Sequence, residues 1–235
     1  MQKKLVELLG HDHMASDLFV QALTHRSASS KHNERMEFLG DSVLGLVITN
    51  ALYKHMPKAS EGYLSRLRAS LVNEGTLAEI ANELSLGDFL RLGAGELKSG
   101  GFRRKSILSD TLEAIIASVY LRNGMDTATA FVRAIYTNRL ENLPSENELK
   151  DPKSRLQEAL QSRNLAIPVY QLISTTGDAH KQVFTAKCTI KALDIETRGV
   201  ASSRRKAEQQ SAQNAYEIVM QKFIAQKGKN KGNRA

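Results

Sequence analysis

The chain of 235 residues contains no tryptophan, one cysteine (Cys188) and four prolines, and aromatic residues make up only 6% of it. A single cysteine excludes an internal disulfide framework and fits a reducing compartment. No cysteine or histidine arrangement has the spacing of a zinc site. No uninterrupted apolar run approaches the length needed to span a bilayer. The N-terminal stretch Met1-Gln-Lys-Lys-Leu-Val-Glu-Leu-Leu-Gly10 is a poor signal peptide, because a glutamate interrupts its short apolar run. A soluble cytoplasmic protein with no membrane association is the expectation. Acid is absent from residues 225–235, which hold Lys227, Lys229, Lys231 and Arg234.

The net charge of +8 divides unevenly. Residues 1–150 carry 18 basic and 18 acidic side chains and sum to zero, while residues 151–224 carry 11 basic and 7 acidic, a net of +4. The last eleven residues add the other +4. Such asymmetry suggests a polyanion-binding module joined to a neutral body, although a solubilising face and a basic tail account for charge alone equally well.

Periodicity gives the same division. Before residue 143 nothing alternates as a strand should, and helical spacing recurs over 3–9, 16–24, 34–53, 60–72, 75–86, 107–122 and 126–141. Ser60 suits an N-cap and Glu61 the first turn of its helix. Residues 144–151, polar and edged by Pro144 and Pro152, have linker composition. Beyond them come a helix over 153–162, three β-rich segments at 168–176, 182–191 and 195–201, and a last helix capped by Ser202 or Ser203 and running to about Ile224. The fold class is multidomain: an all-α domain at 1–143, a linker at 144–151, a small α+β domain of order α-β-β-β-α at 152–224, and a flexible basic tail at 225–235.

Three carboxylates in the first domain, Glu34, Glu37 and Asp41, stand three and four residues apart and so share one helical face. The stretch continues into apolar Ser42-Val-Leu-Gly-Leu-Val-Ile48, which places the acids at the edge of a buried helix. Asp110 and Glu113 form a second pair at i, i+3 inside another apolar segment. Two such helices could form a four-carboxylate cluster, whose oxygen-only ligands favour Mg2+ or Mn2+ over zinc and suit phosphodiester hydrolysis. Acid pairs at this spacing also occur at helix N-termini and in ion pairs, with Arg35 the nearest partner in sequence, and the spacing does not by itself establish that the helices meet. Gly40 and Gly45 weaken one helix by about 1 kcal/mol each relative to alanine, which suggests close approach of another backbone. Phe38, Leu39 and Leu44 are more often core than interface.

Asn33-Glu-Arg-Met-Glu-Phe-Leu-Gly-Asp41 resembles the signature of the ribonuclease III family. The resemblance continues through Leu23-Thr-His-Arg-Ser27, Ser60-Glu-Gly-Tyr-Leu-Ser65, Gly100-Gly-Phe-Arg-Arg104, Asp110-Thr-Leu-Glu-Ala114 and the C-terminal module, and so covers nearly the whole chain. It implies a bacterial-type order of one endonuclease domain followed by one double-stranded-RNA-binding domain. It implies that Glu37, Asp110 and Glu113 hold Mg2+ directly, with Mn2+ able to substitute. Asp41 joins the metal site by positioning the metal-bound water or a second metal, and Asp41 and Glu113 are essential to catalysis. Glu34 and Glu61 match acidic positions near a subunit interface and take supporting roles in a homodimer, which the signature helices themselves help to form.

The same resemblance implies hydrolysis of double-stranded RNA to 5′-phosphate and 3′-hydroxyl ends with short 3′ overhangs, in ribosomal RNA precursors and some mRNA, tRNA or small-RNA precursors. A non-catalytic duplex-binding protein is the alternative, and the intact acidic set argues against it. Hydrolysis of a small phosphate ester would leave the basic module unexplained.

Three regions of the second domain suit a duplex. Ser154, Gln157, Glu158 and Gln161 lie on one polar helix face whose groups match the 2′-hydroxyls and base edges of an RNA minor groove. His180, in the loop Gly177-Asp-Ala-His-Lys181, could probe a neighbouring groove. Ser202, Ser203, Arg204, Arg205 and Lys206 open the last helix, where positive charge is locally unfavourable and an anionic partner would resolve the conflict. With no tryptophan and few aromatics, a stacking platform for single strands is disfavoured. Arg103, Arg104 and Lys105, shortly before the second acid pair, could guide phosphate or simply be solvated.

Overall fold

The computed structural model describes the backbone of residues 2–178 and 181–232, with side chains within 5–178 and 181–224. It divides into two compact units, Met1–Pro144 and Ser145–Ala235.

The first unit is helical: α1 Gln2–Leu9, α2 His11–Met14, α3 Asp17–Ala22, α4 Glu34–His55, α5 Glu61–Leu71, α6 Glu74–Glu83, α7 Ala94–Lys98 and α8 Lys105–Glu141. Among the described residues its only β feature is a single bridge, Thr24 to Arg91. The N-terminal half of α8 is buried on every side from Ile107 to Val119, so it forms the axis of the unit. α4 lies along it, with Leu44, Ile48 and Leu52 fully buried. Within α8 the two helices expected at 107–122 and 126–141 are both present and meet at a kink at Gly124, where φ is +79°, a conformation that glycine adopts without a Cβ penalty. Ser60 does cap α5, accepting from the Tyr63 amide at 3.3 Å. His13, buried in α2, ties the N-terminal segment to α8 through a 2.9 Å hydrogen bond between its Nε2 and Ser118 Oγ.

The stretch with linker composition carries structure. Tyr63 Oη donates to the Pro144 carbonyl at 2.7 Å. A short helix, α9 Glu146–Leu149, then begins with a capping box between Ser145 and Glu148.

The second unit continues with α10 Pro152–Gln161, β1 Val169–Thr176, β2 Val183–Ile190, β3 Ile195–Ala201 and α11 Arg204–Gly232. The antiparallel sheet has order β1-β2-β3, with Tyr170 opposite Cys188 and Cys188 opposite Thr197. One sheet face is closed by α10 and α11 around Leu156, Leu160, Cys188, Ile190, Ala215 and Val219. Pro152 at the first turn and Asp151 as N-cap start α10, Asp151 accepting from the Lys153 and Ser154 amides. Ser203, rather than Ser202, caps α11, accepting from the Lys206 amide at 3.3 Å. α11 extends to Gly232 instead of ending near Ile224, because Ala225-Gln-Lys227 are good helix formers and no proline intervenes. The part of the expected tail beyond Gly232 lies outside the described residues. No described helix is long and apolar enough to cross a membrane.

Candidate metal centre and nucleic-acid interface

Glu37 sits in the first turn of α4, and Asp110 and Glu113 lie one turn apart on α8. Carboxylate oxygens of these three residues come within 4.8 Å of one another. The packing that brings them together is local. A Cβ on Gly40 would stand 1.9 Å from the Glu113 carbonyl oxygen, so the α4 backbone touches the α8 backbone at the residue that carries the central acid. Gly40 therefore does what a glycine inside a helix suggests. Gly45 does not, since among the described residues nothing packed against the helix lies within 4 Å of an added Cβ.

The electrostatics follow from that packing. Glu113 is only 9% exposed. Burial, then the neighbouring charges of Asp41, Glu37 and Asp110, push its pKa up to about 8. Glu37 is raised by burial and by Asp110, Glu34 and Asp41, and Asp110 is raised mainly by burial. Among the described residues no lysine or arginine makes an ion pair with any of the three. Crowded, half-buried carboxylates of this kind suit a hard divalent cation, which would neutralise them and displace the proton from Glu113. Asp41, one turn beyond Glu37, is exposed and electrostatically coupled to Glu37 and Glu113 without joining the tight trio.

Glu34 pairs with Arg26 at 3.1 Å and lies 3.8 Å from His32. The Leu23–Ser27 stretch that carries Arg26 is held by the bridge to Arg91, by the His25 amide donating to the Arg91 carbonyl, and by Ser27 Oγ accepting from the Gly93 amide. His25 and Arg26 thereby reach the rim of the acid cluster, where both lower the pKa of Asp110. Sequence reasoning left Arg26 unassigned; the Leu23–Ser27 motif was the signal that could have found it. In the glycine-rich segment Arg104 pairs with Glu96 at 2.8 Å, Arg103 lies over the Phe102 ring, and Lys105 opens α8.

The outer face of α4 is apolar and open. Phe38 is 79% and Tyr53 73% exposed, and Leu46 lies between them at helical spacing. Phe38 is therefore surface, not core, while Leu44 is core as expected. Beside this stripe a cleft of about 440 Å³ is lined by Leu52, Tyr53, Ala59, Glu61, Leu64 and Arg68, so Glu61 stands at its edge, away from the acid trio.

In the second unit Gln157, Glu158 and Gln161 are exposed on α10, and Ser154 Oγ donates to Asp151 at 2.6 Å. At the start of α11 Ser202, Arg204, Arg205 and Lys206 are exposed, and Arg204 also pairs with Glu208. His180 lies outside the described residues.

Two families match these two units. The one described as Ribonuclease-III-like matches residues 15–140, and the double-stranded RNA binding motif matches residues 152–219. Among curated relatives, Ribonuclease 3 of Buchnera aphidicola (strain APS) is 54% identical over 213 residues, covering 91% of this chain and 94% of the relative. The chain belongs to the ribonuclease III family.

Ribonuclease 3 of Proteus mirabilis is 52% identical over 215 residues, covering 92% of this chain and 93% of its own. The solved nuclease domain of ribonuclease III from Campylobacter jejuni is 46% identical with a TM-score of 0.54, covering 58% of this chain and 94% of that one. A second structure of that domain, with 45% identity and a TM-score of 0.52, covers 57% of this chain and 97% of that one and concerns flexibility in a region involved in dimer formation. As a ribonuclease III family member with both modules, the chain is a double-stranded-RNA endoribonuclease.

Proposed function

We propose that this endoribonuclease is Mg2+-dependent, with Mn2+ able to substitute, and that Glu37, Asp110, Glu113 and Asp41 form its metal site. The observation that carries the reading is the convergence of three under-neutralised carboxylates within 4.8 Å, with Asp41 beside them, in a chain that also holds a duplex-binding module. Mg2+, when bound, supplies Lewis acidity at the scissile phosphate and lowers the pKa of water. Glu37, Asp110 and Glu113 hold the cation. Asp41 is catalytic with Glu113 and orients the attacking water from its exposed place on α4. Glu34 fixes Arg26 at the rim, where the guanidinium can meet a phosphate.

The products are 5′-phosphate and 3′-hydroxyl ends with short 3′ overhangs, and the substrates are ribosomal RNA precursors and some mRNA, tRNA or small-RNA precursors in the cytoplasm. The enzyme works as a homodimer. The exposed stripe Phe38–Leu46–Tyr53 and the cleft beside Glu61 support a second copy as the occupant of that face, since an apolar patch of this kind is otherwise left in water. Duplex RNA is gripped by Ser154, Gln157, Glu158 and Gln161 in one minor groove, by His180 in the next, and by Ser202, Ser203, Arg204, Arg205 and Lys206 at phosphates.

Incubation with a long RNA duplex, a single RNA strand and a DNA duplex, each with Mg2+ or with EDTA, tests the reading. Cutting is expected for the RNA duplex with Mg2+ alone. Equal cutting of the single strand, or undiminished cutting in EDTA, contradicts it.

A further inference from the structure

Glu158 is an awkward member of an RNA-binding face. It stands on α10 among Ser154, Gln157 and Gln161, and a carboxylate entering a groove walled by phosphates meets repulsion from both strands. The chain supplies a neighbour for it. Lys150 Nζ lies 2.7 Å from Glu158 Oε2 and 3.7 Å from Glu146 Oε1. The lysine side chain is only 17% exposed while that of Glu158 is 53% exposed, so the ammonium sits behind the carboxylate and the carboxylate faces outward.

Lys150 is not placed there by a loose tether. On its N-terminal side Glu148 Oε2 accepts from the Ser145 amide at 2.7 Å and from Ser145 Oγ at 2.6 Å, closing the turn of α9. On its C-terminal side Asp151 caps α10, with the Lys153 amide at 3.1 Å and the Ser154 amide at 3.2 Å, and accepts from Gln209 Nε2 on α11 at 2.9 Å. Two caps thus fix the backbone on both sides of Lys150, so forming the pair orders side chains only.

We infer that Lys150 is a positioning residue for duplex RNA binding: it neutralises Glu158 and fixes its orientation, so that the carboxylate can accept a hydrogen bond from an RNA hydroxyl or amino group in the minor groove. The inference rests on the reading that the polar face of α10 meets RNA. A carboxylate has about four acceptor sites, so pairing with one ammonium leaves capacity for an RNA donor. Lys150 acts through Glu158 and not by touching phosphate. The last stretch of the segment with linker composition, which already lies within the second unit, then belongs functionally to the RNA-binding module.

The test uses the full chain in EDTA with a short RNA duplex, its affinity read by fluorescence anisotropy across a series of salt concentrations. Lys150→Met should weaken binding about fivefold, the scale of one ion pair at a partly exposed site, with the salt slope unchanged. Lys150→Arg should restore the affinity. Glu158→Ala should weaken binding on its own, and in that background Lys150→Met should have no further effect. If Glu158→Ala weakens binding but Lys150→Met does not, the inference is overturned while the RNA-facing role of α10 stands. If the two losses are independent and Lys150→Met lowers the salt slope by about one, Lys150 is a direct phosphate contact and the positioning role is wrong. If Glu158→Ala leaves affinity unchanged, α10 does not present Glu158 to RNA and the inference falls with that reading.

Discussion

Replacing Gly40 with alanine is expected to cost this enzyme both stability and activity. The new Cβ would stand 1.9 Å from the Glu113 carbonyl oxygen, 2.5 Å from its carbonyl carbon and 3.1 Å from its Cα. Carbon and carbonyl oxygen rest about 3.3 Å apart or more, so α4 and α8 must separate by on the order of 1 Å. Neither neighbour is a flexible side-chain end that could swing away. Because the clash is with backbone, overpacking costs at least the upper end of about 1–3 kcal/mol, and the helix-propensity gain of alanine over glycine returns about 1 kcal/mol, leaving a net loss of about 2 kcal/mol or more. For a chain of this length each kcal/mol lowers the melting temperature by about 2–4 °C. The same displacement moves Glu113 away from Glu37, and a misplacement near 1 Å at a reacting centre costs about a hundredfold in rate. Thermal melting and single-turnover cleavage of duplex RNA with Mg2+ measure the two effects separately. Wild-type cleavage by Gly40→Ala would refute the claim that this backbone contact sets the site.

The remaining predictions concern charge and assembly. Glu113 keeps its proton in the folded, metal-free protein up to about pH 8, whereas in the unfolded chain it ionises near its ordinary 4.5. Between those values the folded state binds more protons, so stability falls as pH rises through that window and remains lost above it. In EDTA, Glu113→Gln should therefore melt several degrees above wild type at pH 8 and close to it near pH 4.5; equal melting at both pH values would contradict the burial argument. Because cation binding must displace that proton, Mn2+ affinity should rise by up to about tenfold per pH unit below pH 8, with proton release visible by titration calorimetry in buffers of different ionisation heat. If the proposed homodimer forms through α4, Phe38→Ala should shift it toward monomer in sedimentation without loss of fold, since Phe38 is 79% exposed within its own subunit. An unchanged sedimentation coefficient would remove α4 from the subunit interface.

Much of this architecture was legible before the fold was seen, because the chain changes period once, near residue 150, and its acids recur at helical spacing. What spacing could not supply was the meeting of α4 and α8. That depends on Gly40 lying against the Glu113 backbone, and a glycine inside a helix signals close approach without naming the partner. The same signal misleads at Gly45, where among the described residues nothing packed against the helix lies within 4 Å of an added Cβ. Periodicity leaves Phe38 open between core and interface because α4 is apolar on two faces, and spacing does not separate a face that meets a core from one left open. The Arg26–Glu34 pair is not legible in spacing, because a bridge from Thr24 to Arg91, distant in sequence, carries Arg26 to Glu34. Lys150 was hidden by the polar, proline-edged composition around it, although Ser145 and Glu148 already had the spacing of a capping box.

The central claim is that a carboxylate cluster on α4 and α8 holds the cation with which this enzyme cuts duplex RNA. Its most direct test compares wild type and Glu113→Gln on one RNA duplex, with binding measured in EDTA and cleavage measured after Mg2+ is added. The account predicts equal binding by both proteins and Mg2+-dependent cutting by wild type alone. Cleavage by Glu113→Gln at the wild-type rate would contradict it.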